Sequence, residues 1–401
     1  MKRSIKLAVA AAVALTSTAA FATNGDHLIG MGAKARGMGG VGIGMSHGAE
    51  TALSNPALIT SVKGTEISFG GTIFMPDVET NMGAGYSKSA ADLSVIPEVA
   101  IAQNLENGIS WGIGMYGTAG MGTDYRDASG HTSNANMVTN LQLMQFAVPV
   151  AYKMGGLSIG VAPVLQYGSL DINYDTTGIG GGPSTTKGVA QDFGLGYDIG
   201  AAYTEEGLTV GASYKSAIDM VYTGQISAAA SDFAMPAGLL TDHLEQPAEI
   251  GIGASYEIAG NTFAVDFKQI KWGSAKGYKD FGWEDQNVII LGYQYSQDAW
   301  AVRAGYNYAK SPIKEQAETG NGVGSSLNML NLLGFPAIVE KHYTVGGSYS
   351  LSKVTSVDLA YVYVPESEVT FATPAYTGAG ISSVTTKHSQ DAVTAQLNFK
   401  F

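Results

Sequence analysis

The chain has 401 residues, no cysteine and a formal net charge of −12, which excludes a disulfide-held scaffold and argues against a nucleic-acid-binding protein, since phosphates require a basic face. Only 14% of its residues are charged, whereas 45% are hydrophobic, with 53 glycines and 21 tyrosines. A soluble globular protein usually carries about 25% charged residues, so the composition favours a sheet with one face in lipid.

Residues 1–22 are a predicted secretory signal peptide. Basic residues at positions 2 and 3 precede an apolar run from Leu7 to Leu15, and Ala20-Phe21-Ala22 provides a small-x-small cleavage site. The run is too short to span a bilayer, which needs roughly 18 apolar residues. Cleavage after Ala22 removes three of the 22 basic and none of the 34 acidic residues, so the predicted net charge becomes −15.

Residues 23–64 are rich in glycine and patterned unlike the rest of the chain. We interpret them as a hatch, a compact plug inside a barrel. Ala49 to Leu53 can form one helical turn, and Asn55-Pro56 must then leave the helix because the residue before proline avoids the α region. Apolar residues such as Leu58 and Ile59 favour a folded plug over the alternative, a flexible periplasmic tail.

Three short motifs fit enzyme patterns, but none has the required surroundings. Residues 37–42 and 112–117 both match G-x-G-x-x-G, yet neither lies in a strand-turn-helix unit with an acidic residue about 20 positions later. Residues 44–48 match G-x-S-x-G, but the glycines before them cannot form the buried strand of a nucleophile elbow. The six histidines show no close pair with metal-ligand spacing. The sequence therefore predicts no enzyme, no metal site and no cofactor.

From residue 65 to residue 401 the chain repeats segments in which apolar and polar residues alternate, the pattern of a two-faced strand. In the last segment the apolar residues occupy every second position: Val393, Ala395, Leu397, Phe399 and Phe401. Such segments predict about fourteen strands, near residues 66–79, 95–104, 109–119, 139–153, 157–171, 191–204, 207–222, 248–258, 261–272, 286–297, 299–309, 340–351, 354–364 and 388–401.

The connections between these strands alternate between short turns and long polar loops. This asymmetry is typical of bacterial outer-membrane barrels, with short periplasmic turns, long outside loops and an even strand number. Six tyrosines lie near the short turns, where an interfacial girdle is expected: Tyr152, Tyr203, Tyr214, Tyr256, Tyr295 and Tyr349. The pattern favours an all-β fold, a transmembrane antiparallel β-barrel, over a soluble antiparallel sandwich or barrel.

The third predicted strand is glycine-rich at residues 109–122. It contains Gly112, Gly114, Gly117, Gly120 and Gly122. Glycine inside a strand marks a bulge or a place where pairing is interrupted. We expect such an interruption here; the alternative is that the glycines only let the wall bend around the hatch.

Inward-facing positions of the predicted barrel are mixed in character. The residues expected to line the lumen are Lys215, Lys268, Arg303, Val288, Ile290 and Val362. The apolar members argue against an open polar pore. The basic members could simply pair across the lumen with inward acids such as Asp266 and Asp358.

Several segments resemble the FadL-type family of outer-membrane transporters of long-chain fatty acids and aromatic hydrocarbons. They are the start ATNG, the run GAKARGMGGVGIG, Asn55-Pro56-Ala57, PAEIGIGASYEI at residues 247–258, DFKQIKWG at 266–273, AVRAGYNYAKSPI at 301–313, HYTVGGSYSLS at 342–352, and Phe401. The resemblance covers essentially all of the chain after residue 22. It implies a 14-stranded barrel plugged by its N-terminus, with an apolar ligand bound in the lumen and released sideways.

The resemblance also implies roles for particular residues. In the hatch, Asn55-Pro56-Ala57 would fix a turn, and Thr23, Asn24 and Gly25 would lie near the ligand. A kink at the glycines of the third strand would open a lateral exit. The loops at residues 310–339 and 365–387 show no recognisable resemblance.

We therefore expect a monomeric passive channel in the outer membrane of a Gram-negative bacterium, inserted by the barrel-assembly machinery. It would take a hydrophobic small molecule as ligand, release it into outer-membrane lipid, and bind no nucleic acid. A polar-solute porin and a surface adhesin that displays loops are the alternatives. Apolar lumen positions weigh against the porin. An adhesin would be expected to carry longer loops, and none of the predicted loops much exceeds 30 residues. The sequence does not distinguish fatty acids from aromatic hydrocarbons.

Overall fold

The computed structural model of the protein describes residues 23–105, 107–126, 134–177, 185–186, 188–233 and 235–401. The predicted signal peptide, residues 1–22, lies outside the described residues.

Within these residues, fourteen strands form one antiparallel sheet. They are β1 (Thr65–Asn81), β2 (Ser94–Asn104), β3 (Ile109–Asp124), β4 (Val138–Ala147 and Val150–Met154), β5 (Leu157–Tyr174), β6 (Ala190–Glu205), β7 (Leu208–Lys215), β8 (Glu249–Ile258), β9 (Asn261–Ile270), β10 (Gln286–Ser296), β11 (Trp300–Ala309), β12 (Lys341–Ser350), β13 (Thr355–Ala372) and β14 (Ser383–Lys400). Each strand pairs with the next, and β14 pairs with β1. The sheet therefore closes into a barrel, which confirms the predicted fourteen-stranded fold.

The observed strands differ from the predicted ones mainly at the strand ends that lie opposite the short turns. β7 ends at Lys215 instead of near residue 222, because residues beyond 216 leave the wall and form isolated bridges to residues 243 and 246 in place of a ladder with β8. β3 continues past residue 119 to Asp124. About half of the predicted loop 365–387 is a paired extension of β13 and β14, whose Thr and Val residues favour strands.

Exposed apolar residues alternate with buried ones along the strands. In β9, Phe263, Val265 and Phe267 are 44 to 56% exposed, whereas Ala264 and Asp266 between them are at most 7% exposed. The outer face is thus apolar, as expected for a wall that contacts lipid. The inner face is buried against residues of the same chain that lie inside the barrel.

Tight turns join strands at one end of the barrel. Two of them, Glu206-Gly207 and Ala259-Gly260, have positive φ at both residues. This is the turn geometry whose twist matches that of the flanking strands.

Residues 23–64, called the N-terminal segment below, lie inside the barrel. Their elements are two short strands, Thr23–Asn24 and His27–Leu28, the helix α1 (Gly32–Gly37) and two 3₁₀ helices, Gly48–Leu53 and Pro56–Ser61. The first 3₁₀ helix occupies the place of the single helical turn predicted from the sequence. Asn55 is extended and its side chain accepts a hydrogen bond from Ala57 N–H at 3.1 Å, so it caps the second.

The longer connections carry small elements. These are strands Tyr86–Lys88 and Thr185–Thr186, helices α2 (Ile226–Asp232) and α3 (Val323–Met329), a π-helical turn at Leu330–Gly334, and 3₁₀ helices at Trp272–Ser274 and Pro374–Ala379. Across the part of the chain that the structure describes, none of the helices is long and apolar enough to cross a membrane.

Candidate functional site

Asp266, on the inner face of β9, binds the N-terminal segment through its carboxylate. Gly42 and Ile43 N–H donate to Oδ2 at 2.7 and 2.8 Å, and Gly44 N–H donates to Oδ1 at 3.1 Å. Successive backbone N–H groups that converge on one anion form a nest, and hydrogen bonds to an ionised acceptor are the stronger kind. Asp266 is completely buried and therefore fixes this turn of the segment against the wall.

The inner wall carries glycine where the N-terminal segment touches it. A Cβ atom on Gly160 would lie 2.6 Å from Ala57 N, and one on Gly346 would lie 2.9 Å from Gly37 Cα. These positions have no room for a side chain, so glycine is required for the close backbone approach. Further wall glycines whose Cβ would overlap the segment or its anchors are Gly200, Gly211, Gly253, Gly292 and Gly305. They lie between β5 and β12, which we call the docked wall.

Lys34 of α1 joins the N-terminal segment to the barrel through charge. Its Nζ lies 3.1 Å from Glu50 Oε1 within the segment, 3.4 Å from Asp358 Oδ2 on β13 and 3.8 Å from Glu66 Oε1 on β1. All three carboxylates are buried. Buried charges are stable only when paired, so one ammonium group stabilises three acids at once.

Asn55-Pro56-Ala57 connects the segment to the docked wall. The Asn55 side-chain NH₂ donates to Ile43 O at 2.9 Å and to Ala201 O of β6 at 3.3 Å. The triplet therefore fixes one turn of the segment and its position on the wall together.

Arg36 links the segment to the opposite side of the barrel. Its Nη1 donates to Thr72 Oγ1 of β1 at 2.7 Å, and its guanidinium forms an ion pair with Glu98 of β2. Both charged side chains are buried. Glu98 is also where β2 and β3 stop pairing, opposite Tyr116.

Beyond Glu98 and Tyr116 the wall is interrupted. Residues 94–97 of β2 pair with β1 but not with β3, and β3 shifts register at a bulge between Gly117 and Ala119. Residues 117–125 are all buried, because β3 here turns from the wall into the barrel. Gly117, Gly120 and Gly122 lie in this interrupted part, whereas Gly112 and Gly114, also predicted to interrupt the strand, pair normally with Ala102 and Ala100 of β2. We call the space between residues 94–97 and 117–123 the gap.

The displaced part of β3 contacts the N-terminal segment instead of β2. His27 forms a bridge with Ala119, and Gly120 N–H donates to Asp26 O at 3.1 Å. At its far end the gap is bounded by a hydrogen bond from Ala90 N–H to Asp124 O at 2.7 Å. The gap is thus a limited opening in the backbone pairing between β2 and β3.

Ile96 of β2 fills the inner side of the gap. It is 1% exposed, and a Cβ atom on Gly117 would lie 2.5 Å from its Cγ2. It belongs to an apolar cluster that includes Leu28 and Ile29 of the N-terminal segment and Phe74 of β1. An aliphatic side chain, rather than backbone hydrogen bonds, therefore closes the gap.

A cavity between the N-terminal segment and the wall reaches the third strand. Thr118 of β3 and Gln145 of β4 line one end of it. Its charged lining residues include Asp198, Lys215, Glu249 and Lys268, and its aliphatic lining residues are Leu28, Met31, Ile43, Ile218, Ile250 and Ile290. The cavity therefore offers charged and aliphatic groups together.

The charges of the cavity are only partly paired. Lys268 Nζ lies 2.8 Å from Glu249 Oε2, and His27 Nδ1 lies 3.0 Å from Glu249 Oε1. Asp198 Oδ2 is buried and has no hydrogen-bond partner among the described residues. Asp198 Oδ2 therefore lacks a hydrogen-bond donor, and Lys215 has no acidic partner within 4.0 Å among the described residues.

Three of the six residues expected in the lumen line this cavity: Lys215, Lys268 and Ile290. The other three lie elsewhere inside the barrel. Arg303 donates to Gln294 Oε1 and Ser348 Oγ, both at 2.6 Å. Val288 packs in the main apolar core, and Val362 packs in the cluster of Ile96.

Thr23, Asn24 and Gly25 are buried and do not line that cavity. A Cβ atom on Gly25 would lie 2.5 Å from the indole of Trp272. Trp272 packs edge to face with Tyr278 and Trp283, with centroid distances of 4.6 and 5.1 Å, and Tyr278 donates a hydrogen bond to Asp26. An aromatic cluster therefore covers this end of the segment.

The motifs that fit enzyme patterns are not assembled into catalytic sites. Ser46 Oγ donates to Leu58 O at 3.3 Å, and His47 Nε2 lies 2.7 Å from Val41 O, so neither activates the other. Within the described ranges, no group of three or more His, Asp or Glu side chains could hold a metal ion.

Sequence reasoning did not find the roles of Lys34, Arg36 and Ile96. Lys34 and Arg36 lie within a segment recognised by its glycines, but nothing local indicates partners on distant strands. Ile96 looks like any alternating apolar residue. Asp266 was expected to pair with another side chain, whereas it binds backbone N–H groups.

The sequence matches a protein-family model over residues 8–401, described as outer membrane protein transport protein (OMPP1/FadL/TodX). The 47 kDa outer membrane protein of Pasteurella multocida is 23% identical over 391 residues, which covers 82% of this chain and 86% of that protein. A shorter match, 42% identical over 86 residues, covers only 42% of an uncharacterised Chlorobium limicola protein.

Two solved structures have the same fold. A Pseudomonas aeruginosa FadL homologue superposes with a TM-score of 0.72 at 13% identity, covering 94% of this chain and all of that one. The toluene transporter TodX of P. putida superposes with a TM-score of 0.67 at 18% identity, covering 93% and 99%.

Proposed function

Because the chain belongs to the outer membrane protein transport family OMPP1/FadL/TodX, we propose that it passively carries a hydrophobic small molecule through its lumen and releases it into the membrane through the gap. The family consists of outer-membrane channels for hydrophobic compounds, and both family and fold are those of transport proteins rather than enzymes. The protein is accordingly an outer-membrane protein.

The gap between β2 and β3 is the observation that carries the proposal. Here β2 and β3 lack backbone pairing, and one side chain, Ile96, occupies the opening. An apolar molecule gains about 25 cal/mol for each Å² kept from water. A sideways path into lipid is therefore more favourable than release into the aqueous periplasm.

The N-terminal segment acts in this proposal as the hatch predicted from the sequence. It is held by Asp266, Lys34 and the glycines of the docked wall, so it obstructs the lumen for polar solutes. This arrangement supports a hydrophobic-compound channel over a polar-solute porin.

The cavity favours a ligand with an apolar body and one polar end. A long-chain fatty acid would place its chain against Leu28, Met31 and Ile290 and its carboxylate near Lys215. A pure aromatic hydrocarbon would offer no partner to Lys215, which has no acidic group within 4.0 Å among the described residues, and an unpartnered charge away from water is unfavourable. We therefore propose fatty acids ahead of aromatic hydrocarbons.

The test of the gap uses Gly117→Val. The new side chain competes with Ile96 for the same space, so we expect uptake of a hydrophobic substrate to fall while the barrel remains heat-modifiable on gels. Ile96→Ala makes room and should restore uptake in the double variant. The matched control is Gly378→Val, since a Cβ atom there meets nothing within 4 Å. Full uptake by Gly117→Val would contradict the lateral exit.

A further inference from the structure

Two lysines lie just beyond the apolar outer band of β11 and β12, at the end away from the tight turns. Lys341 begins β12 and lies opposite Tyr308. Lys310 follows the last residue of β11, where Ala309 N–H still donates to Glu340 O at 3.0 Å. Both lysines are exposed. Strand alternation places Lys341 on the outer face with its partner Tyr308, and Lys310 lies two residues beyond Tyr308.

Neither ammonium group has an acidic partner within 4.0 Å among the described residues. Other lysines at this end of the barrel do: Lys271 pairs with Asp285 at 2.9 Å, and Lys88 pairs with Asp77 at 3.0 Å. The chain has a net charge of −12, and Lys310 and Lys341 together place two uncompensated positive charges side by side on adjacent strands.

The aromatic residues below the lysines indicate their depth. The rings of Tyr306 and Tyr343 lie on the outer face with centroids 5.2 Å apart. Tyrosine is enriched where a membrane meets water. Lys310 and Lys341 are therefore at the level of the outer-leaflet headgroups.

A groove runs down the outer face below Lys341. It is lined by Val345, Gly347, Tyr349, Leu359, Tyr361 and Val393. Gly347 forms its floor, since the neighbouring outward residues Val345 and Tyr349 are each 55% exposed. Val345 is four residues from Lys341, so the groove begins about 13 Å below it at roughly 3.3 Å per residue.

We propose that this surface binds one phosphorylated glycolipid of the outer leaflet, with a phosphate between Lys310 and Lys341 and an acyl chain in the groove over Gly347. Lysine binds phosphate as a point charge, and basic residues beside a membrane attract anionic headgroups. The groove lies within the lipid-facing band, where an acyl chain is the available apolar occupant.

The experiment measures lipid binding to the full-length protein in detergent by native mass spectrometry. The probes are a bisphosphorylated diglucosamine glycolipid, its dephosphorylated counterpart and inorganic phosphate. The variants are Lys310→Gln, Lys341→Gln, both together, and Gly347→Phe, which is sterically tolerable because a Cβ atom there lies 3.5 Å from its nearest neighbour. The control is Lys353→Gln, an exposed lysine in a tight turn at the opposite end.

We expect each lysine substitution to weaken binding of the phosphorylated glycolipid about fivefold, and the double variant about 25-fold. Gly347→Phe should weaken both glycolipids while preserving the preference for phosphate, and Lys353→Gln should bind like the original protein. Equal binding of the two glycolipids, or unchanged binding by the double variant, would overturn the proposal. Full competition by inorganic phosphate would also overturn it, since the site would then be one for a free anion.

Discussion

The docked wall and the gap lie on the same barrel but are held by different forces. On the docked wall, the N-terminal segment contacts backbone through glycines such as Gly160 and donates three N–H groups to Asp266. At the gap, backbone pairing is absent and Ile96 packs in the opening. A side chain can move without leaving a buried hydrogen-bonding group unsatisfied, whereas a hydrogen-bonded backbone cannot. The difference is the reason why the proposed passage is placed at the gap and not on the docked wall.

Removal of residues 23–60 is expected to have the largest effect on the permeability of the barrel, because it deletes the part of the N-terminal segment that contacts the docked wall. We expect the barrel to assemble and its planar-bilayer conductance to small ions to rise strongly. An unchanged conductance would show that the segment does not obstruct the lumen.

Lys34→Met is expected to weaken the docking of the segment next most strongly. It leaves Glu50, Glu66 and Asp358 buried without their shared cation, and loss of one partner of a buried ion pair costs about 3–5 kcal/mol. Urea unfolding in detergent measures the loss. Lys353→Met, in an exposed turn, is the control; equal effects of the two substitutions would contradict the charge cluster.

Asp266→Ala should have a smaller effect, about 1.5–3 kcal/mol, as expected for hydrogen bonds to a charged group. Asp266→Asn keeps one oxygen acceptor and should lose less. Polar leakage should rise in the alanine variant, since Gly42 to Gly44 are released, whereas uptake of a hydrophobic substrate should change little. A large loss of hydrophobic uptake without leakage would place the path on the docked side.

The sequence was sufficient for the barrel because alternation is local. The alternation from Val393 to Phe401 shows which residues of that strand share a face. Short turns such as Glu206-Gly207 show at which end of the barrel the strands are joined tightly. The glycines of β3 also predicted the interruption. The contacts of Asp266 could not be predicted, since its partner Gly44 is 222 residues away and any inward acid gives the same local pattern.

The ends of strands were predicted less well for a related reason. Residues 216–222 continue the apolar alternation of β7 yet leave the wall, because pairing with β8 ends at Lys215 and Glu249. The strand with which a segment pairs is determined by the closed barrel as a whole and not by the local sequence of the segment. The same holds for Ile96, whose role depends on the bulge in the adjacent strand.

The central claim is that a hydrophobic molecule leaves through the gap into lipid, and its arrival can be timed directly. In outer-membrane vesicles, a fluorescent fatty acid added outside would be followed with a quencher on inner-leaflet lipids and, separately, with albumin trapped in the vesicle interior. We predict that lipid quenching precedes albumin binding. Gly117→Val should slow lipid quenching, and adding Ile96→Ala should restore its rate. Albumin binding that comes first and is unaffected by Gly117→Val would contradict the lateral exit.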